Sequence, residues 1–190
     1  MRYTGFGAVR DILIFIAVLW VAFLLESIFP LRNFGIQPRH LHGLIGILAA
    51  PLIHANTAHI AANSIGLLVF GLFCGILEGE RVFGVIAWVM VIGGLLTWLF
   101  ARPANHMGAS GIIFGLFGYL IFLGFFNHRW YFIAASIICL IGFGSTIYGI
   151  LPRYPSVSWE GHLFGFLSGA LAAKWRSRFR TDGSNGSRVS

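Results

Sequence analysis

The chain has 190 residues, of which 57% are hydrophobic and 10% charged, with mean hydropathy +0.83 and formal net charge +7. A soluble domain carries roughly 25% charged residues, so the composition excludes a soluble enzyme or binding module and points to one integral membrane domain. The basic residues lie in short connectors and in the tail, not on one face, which argues against nucleic acid and fits topology signals and anionic lipid contacts.

A membrane helix needs roughly 17 to 25 mostly apolar residues. The first expected helix spans about 11–30 and ends at Pro30. It is too long for a signal-peptide core, and no small-residue cleavage pattern follows "ESIFPLRN", so it is read as retained. A polar connector, "LRNFGIQPRHLH", comes next. The apolar piece 43–53 contains Pro51 and is too short to span, so a re-entrant or interfacial segment is expected there. Further helices are expected at about 57–77, 82–100, 110–126, 131–150 and 160–175. The prediction is an all-α, polytopic membrane protein with six transmembrane helices. Residues 1–176 form the membrane domain and 177–190 a basic, disordered cytoplasmic tail. Cys74 and Cys139 lie in apolar runs, so no disulfide framework is expected.

Positive charge orients the bundle. With the N-terminus inside, nine Lys and Arg fall on inner segments and four (Arg32, Arg39, Arg102 and Arg153) on outer loops. Both termini are therefore expected in the cytoplasm. On that map, helices two, four and six all start at the outer face. His54, His59 and Asn63 then share a level with Ser110 and His162. Polar and ionisable groups at membrane depth are costly and point to function.

A serine hydroxyl needs a base to become a nucleophile, and histidine is the usual one. His162 can serve Ser110 only if helices four and six pack very closely. Small residues at four-residue spacing permit that in a bilayer. Helix six carries Gly161, Gly165 and Gly169, and helix four carries Gly111, Gly115 and Gly118. His162 shares a face with Gly165 and Gly169, as Ser110 does with Phe114 and Gly118. Phe114 is placed to pack on the His162 ring. Acyl transfer also needs oxyanion donors. The candidates are the Ser110 main-chain N–H at a helix N-terminus, the Asn63 amide and the His59 ring. His54 is given a supporting hydrogen bond that braces the re-entrant piece. Glu160, two residues from His162, points to another helix face, so a Ser–His dyad is expected, without a third carboxylate.

"HANTAHIAAN", "GASG" and "GHLFG" resemble the three motifs of rhomboid intramembrane serine proteases. The pattern H-x4-H-x3-N is met by His54, His59 and Asn63, G-x-S-G by Gly108 to Gly111, and H-x-x-G by His162 and Gly165. The resemblance covers about residues 11 to 176 and implies a rhomboid-like six-helix bundle of the bacterial form. It implies Ser110 as nucleophile, His162 as general base, and oxyanion donors at His59, Asn63 and the Ser110 amide. It implies single-pass transmembrane proteins as substrates, cut in or near the outer part of the transmembrane segment, with no cofactor or metal. Two departures stand out. The first external loop, "PRHLHGLIGILAAPLI", lacks a Trp-Arg pair common in bacterial members, and Phe114 stands where some members have tyrosine.

One alternative is a catalytically inactive relative that binds membrane protein clients; such relatives generally lack the serine or the histidine, and both are present here. A metal-dependent protease or transporter would need a motif such as H-E-x-x-H, which is absent, or an intramembrane carboxylate to complete a site. A bacterial plasma membrane is the expected location. The sequence leaves the oligomeric state open.

Overall fold

The computed structural model describes residues 5–185. Six long helices follow in chain order. They are α1 (Gly5–Leu25), α2 (Thr57–Glu78), α3 (Arg81–Phe100), α4 (Ser110–Asn127), α5 (Trp130–Phe143) and α6 (Trp159–Asn185). The all-α, multi-pass bundle expected from the composition is present. Among the described residues the only β-type pairing is a lone antiparallel bridge between Ile36 and His106.

Length and composition suit five segments to crossing a membrane: Gly7–Leu25, Thr57–Glu78, Arg81–Phe100, Ser110–Asn127 and Trp130–Ile150. α6 is less apolar because it is charged near both ends: residues 159–176 include Glu160, Lys174 and Arg176. It also runs ten residues past its expected end, because "RSRFRTD" contains neither Pro nor Gly to stop it. Thus residues 177–185 of the expected tail are helical, and 186–190 lie outside the described residues.

The contact between α4 and α6 centres the bundle. A methyl group on Gly165 would collide with the Gly111 carbonyl oxygen, and one on Gly169 with the Gly115 carbonyl oxygen. Likewise a methyl on Gly118 would meet the Phe166 carbonyl. Backbone therefore rests on backbone along this seam. α4 is enclosed along most of its length, with Ile112 through Leu120 all buried. α1 and α5 lie outside and present Leu13, Ile14, Val18, Ile138 and Ile141 outward. Gly75 lets α2 approach α1, where a methyl would lie 3.2 Å from the Ala8 side chain.

The connector 26–56 folds as short helical turns, including the apolar stretch Leu41–Leu52, which is too short to span. Its Leu41, Ile45 and Leu48 form one exposed apolar face, as an interfacial segment requires. The bundle holds it by main-chain contacts. The Arg39 guanidinium donates to the Ala101 carbonyl at 2.8 Å, and the Trp98 indole to the His40 carbonyl at 2.8 Å. The Gly108 N–H donates to the Ala50 carbonyl at 2.8 Å. At its far end the His54 N–H donates to Glu26 Oε1 at 2.9 Å, with His54 fully buried. Burial, reinforced by the neighbouring His59, holds the His54 imidazole down to about 4 from an ordinary 6.5.

Replacing Gly169 with Ala is expected to destabilise the protein by about 1–3 kcal/mol, because the Gly115 main chain cannot move aside cheaply. Gly142→Ala, whose added methyl would meet no neighbouring element within 4 Å, should be neutral or slightly stabilising. Thermal unfolding in detergent separates the two; equal melting temperatures would refute the seam. A second expectation concerns pH. His54 is neutral when folded and gains a proton more easily when unfolded, so its contribution is complete above about 6.5 and is lost as pH falls toward 4. His54→Gln should flatten the fall in melting temperature across that window, and a parallel fall in both proteins would count against it.

Candidate active site

Ser110 is the first residue of α4, delivered by a loop that turns at Gly108. Gly108 has φ +106°, a left-handed conformation open to glycine and strained for other residues. A side chain there would also lie 2.7 Å from His59 Nε2 and 3.2 Å from Asn63 Nδ2. The loop therefore passes directly against the α2 pair, and glycine is required twice over.

Ser110 Oγ and His162 Nε2 lie 2.9 Å apart. On the other side of the ring, His162 Nδ1 lies 2.9 Å from the Gly149 carbonyl oxygen. A carbonyl only accepts, so Nδ1 carries the proton and Nε2 presents its lone pair to the Ser110 hydroxyl. Phe114 stacks on the imidazole face with centroids 4.1 Å apart and planes 7° from parallel. Gly149 leaves room for that ring, since a methyl there would strike Phe114 Cζ. Two contacts thus fix the imidazole: a hydrogen bond in its plane and a stack on its face.

His59 and Asn63 project from the first turns of α2, which is capped by Asn56 Oδ1 accepting the His59 N–H at 2.9 Å. Asn63 is buried, and its Nδ2 donor meets no hydrogen-bond partner among the described residues. A buried amide with an unused donor is costly; here it borders a cavity. The His54 ring packs edge-on against His59 at 5.1 Å, and the His54 main-chain N–H adds a hydrogen bond to Glu26. Gly111 and Gly165 meet on the helix seam immediately below Ser110. The cavity has a volume of about 830 Å³, and its lining includes His59, Asn63, Ser110, Phe114 and His162. A hydroxyl, an imidazole with a fixed tautomer and N–H groups thus meet at one cavity, an arrangement compatible with acyl transfer.

Three contributors were missed by sequence reasoning. Gly149 enters through its carbonyl, and nothing in "TIYGILP" signals that. Glu26, at the end of the first apolar run, accepts from His54 and sits 3.5 Å from Arg32 Nε. A carboxylate at a helix end was a visible signal. The third is a strut across the mouth of the cavity. The Arg102 guanidinium donates to the Pro155 and Val157 carbonyls at 2.8 and 2.7 Å. His106 Nε2–H donates to the Arg102 carbonyl at 3.1 Å, and its Nδ1 accepts from Ser158 at 2.5 Å. Burial pushes His106 below its ordinary value, which keeps it neutral in this arrangement. Glu160 belongs to the strut, with its carboxylate 3.5 Å from Arg102 Nε.

The same stretch of chain is shared with known proteins. An uncharacterised protein of Mycobacterium tuberculosis is 36% identical over 174 residues, covering 85% of this chain and 72% of that protein. RHOMBOID-like protein 1 of Arabidopsis thaliana is 32% identical over 139 residues, 70% of this chain and 34% of its own length. Rhomboid protease GluP of Bacillus subtilis is 28% identical over 133 residues, 67% of this chain and 25% of its own length. The family model described as Rhomboid domain matches residues 39–179, a stretch that contains Ser110, His162 and the α2 pair. With most of its length inside that match, and with six helices built around one glycine seam, this chain belongs to the rhomboid family.

Proposed function

We propose that the protein is an intramembrane serine endopeptidase that cuts single-pass membrane proteins in or near the outer part of their transmembrane segment. Ser110 is the nucleophile and His162 the general base. The observation that carries this reading is the 2.9 Å contact between the Ser110 hydroxyl and a histidine nitrogen whose tautomer is set by Gly149. Its setting adds weight: polar pairs are expensive inside an apolar bundle and persist there for a reason. Likeness to a protein named as a rhomboid protease supports the same class of activity.

In this mechanism a substrate helix reaches the cavity beside α4 and α6 and unwinds locally, since a helical peptide bond is shielded by its own hydrogen bonds. The Ser110 oxygen attacks the scissile carbonyl carbon while its proton passes to His162 Nε2. Negative charge on the former carbonyl oxygen is met by the Asn63 amide, the His59 ring and the Ser110 N–H. That last group lies in the first turn of α4, where main-chain donors lack helical acceptors. Collapse of the intermediate breaks the C–N bond, and the imidazolium gives its proton to the departing amine. A water, deprotonated by the same imidazole, then releases the acyl group from Ser110. The reaction as written uses no cofactor or metal. Residues 1–176 serve as the membrane domain with both termini in the cytoplasm. Similarity to mycobacterial proteins supports a bacterial plasma membrane.

Ser110→Ala and His162→Ala should each lower cleavage of a co-reconstituted single-pass protein by about 10³-fold or more while leaving the fold intact. A fluorophosphonate probe should label folded wild type and leave Ser110→Ala unlabelled; substantial cleavage by purified Ser110→Ala would sink the mechanism. Asn63→Ala should lower the turnover number by about 10²–10³, the usual effect of losing one oxyanion donor. An unchanged turnover number would remove Asn63 from that role.

A further inference from the structure

A second cavity lies at the opposite end of the bundle. Its volume is about 310 Å³, near the lower end of the roughly 300–1,000 Å³ usual for ligand pockets. Arg81 and Gly84 at the start of α3, Trp88 one turn further on, Tyr119 of α4, and Trp175 and Arg176 of α6 line it. His162 and Arg176 are fourteen residues apart on one helix, so this cavity sits about 21 Å along α6 from the imidazole.

Three observations identify what it suits. First, its charge is positive. Arg176 holds Glu78 through Nε at 3.0 Å, which occupies one N–H of the guanidinium. That pair is neutral overall, and exposed Arg81 at the mouth adds one positive charge. Second, the Tyr119 hydroxyl has no hydrogen-bond partner among the described residues, although Tyr119 is only 1% exposed. A buried phenol lining a cavity with its donor unused is costly unless something enters to accept from it. Third, the walls suit the membrane–water boundary. Trp88 and Trp175 pack with centroids 5.8 Å apart, and the Trp88 indole donates to the Ser168 carbonyl at 3.1 Å. Tryptophan at this level is the usual lining of the lipid headgroup region. A methyl group on Gly84 would meet no atom within 4 Å, so there is open space at this position.

We propose that this cavity binds the headgroup of an anionic phospholipid, with its phosphate between Arg81 and Arg176, an oxygen accepting from Tyr119, and the Trp88–Trp175 pair as the wall. A phosphodiester matches the Arg176 guanidinium held in place by Glu78 and the added positive charge of Arg81. Because α3, α4 and α6 line the cavity and α2 holds Arg176 through Glu78, an occupied site joins four helices at the end remote from Ser110. Under the proposed orientation this is the cytoplasmic leaflet.

Native mass spectrometry of the full chain in neutral detergent tests the site by titration with dioleoyl phosphatidylglycerol, dioleoyl phosphatidylcholine or inorganic phosphate. Wild type should retain one phosphatidylglycerol more tightly than any phosphatidylcholine. Arg81→Gln, which removes an exposed side chain, should weaken that adduct about fivefold, the worth of one cation near a lipid surface. Tyr119→Phe, which keeps the ring in place, should weaken it as well, and circular dichroism checks that both variants fold. Inorganic phosphate should not displace the lipid. The proposal is overturned if folded variants keep phosphatidylglycerol as wild type does, or if the two lipids bind equally. Displacement by inorganic phosphate alone would overturn it too, and would assign the cavity to free phosphate.

Discussion

The architecture depends on the direct approach of two helix backbones. Where α4 and α6 cross, glycine faces carbonyl at Gly165 and again at Gly169, with no side chain between them. In a bilayer the lipid tails are as apolar as any side chain, so helices gain nothing by hiding leucines from water. They gain from close contact, which small residues permit. The seam also has a chemical effect. It brings residues fifty-two positions apart within hydrogen-bond distance, because a helix pair held this close carries side chains at matching heights into contact.

The Ser110–His162 pair is arranged without a buried charge on the histidine's second nitrogen. A carboxylate there would have to be desolvated among apolar helices, at a cost of several kcal/mol per ion. The Gly149 carbonyl accepts the same proton at 2.9 Å and brings no such penalty. Phe114 adds orientation through a stacked face. The fold does contain buried carboxylates, but each is matched elsewhere: Glu160 with Arg102, Glu26 with Arg32 and the His54 amide, and Glu78 with Arg176. Charged groups thus tie loops and helix ends together, Arg102 at the edge of the cavity around Ser110 included.

The two ends of the bundle differ in character. One holds histidines, Asn63 and Ser110 beneath a strut of loop hydrogen bonds. The other holds arginines, tryptophans and Tyr119. Between them the outer helices α1 and α5 expose leucine and isoleucine, while α4 and α6 carry the polar chemistry inside. α6 is less apolar than its neighbours because it carries charge at both levels, Glu160 near the histidine end and Lys174 and Arg176 near the tryptophan end.

The sequence by itself determined the membrane class, the approximate positions of the helices and the level of the polar residues. These follow from hydropathy and from distance along the chain. The glycine spacing also made the meeting of Ser110 with His162 legible, because small residues and reactive side chains fell on shared helix faces. Only the tertiary structure decided what the second imidazole nitrogen touches, since a main-chain carbonyl looks the same at every position of a sequence. The same holds for the fold of residues 31–56, whose turns are fixed by partners as distant as Trp98 and Ala101. It holds also for the pocket shared by Arg81, Tyr119 and Arg176, which exists because three helices converge there. Periodicity reports which face of one helix is apolar; it carries no record of which neighbour that face will meet.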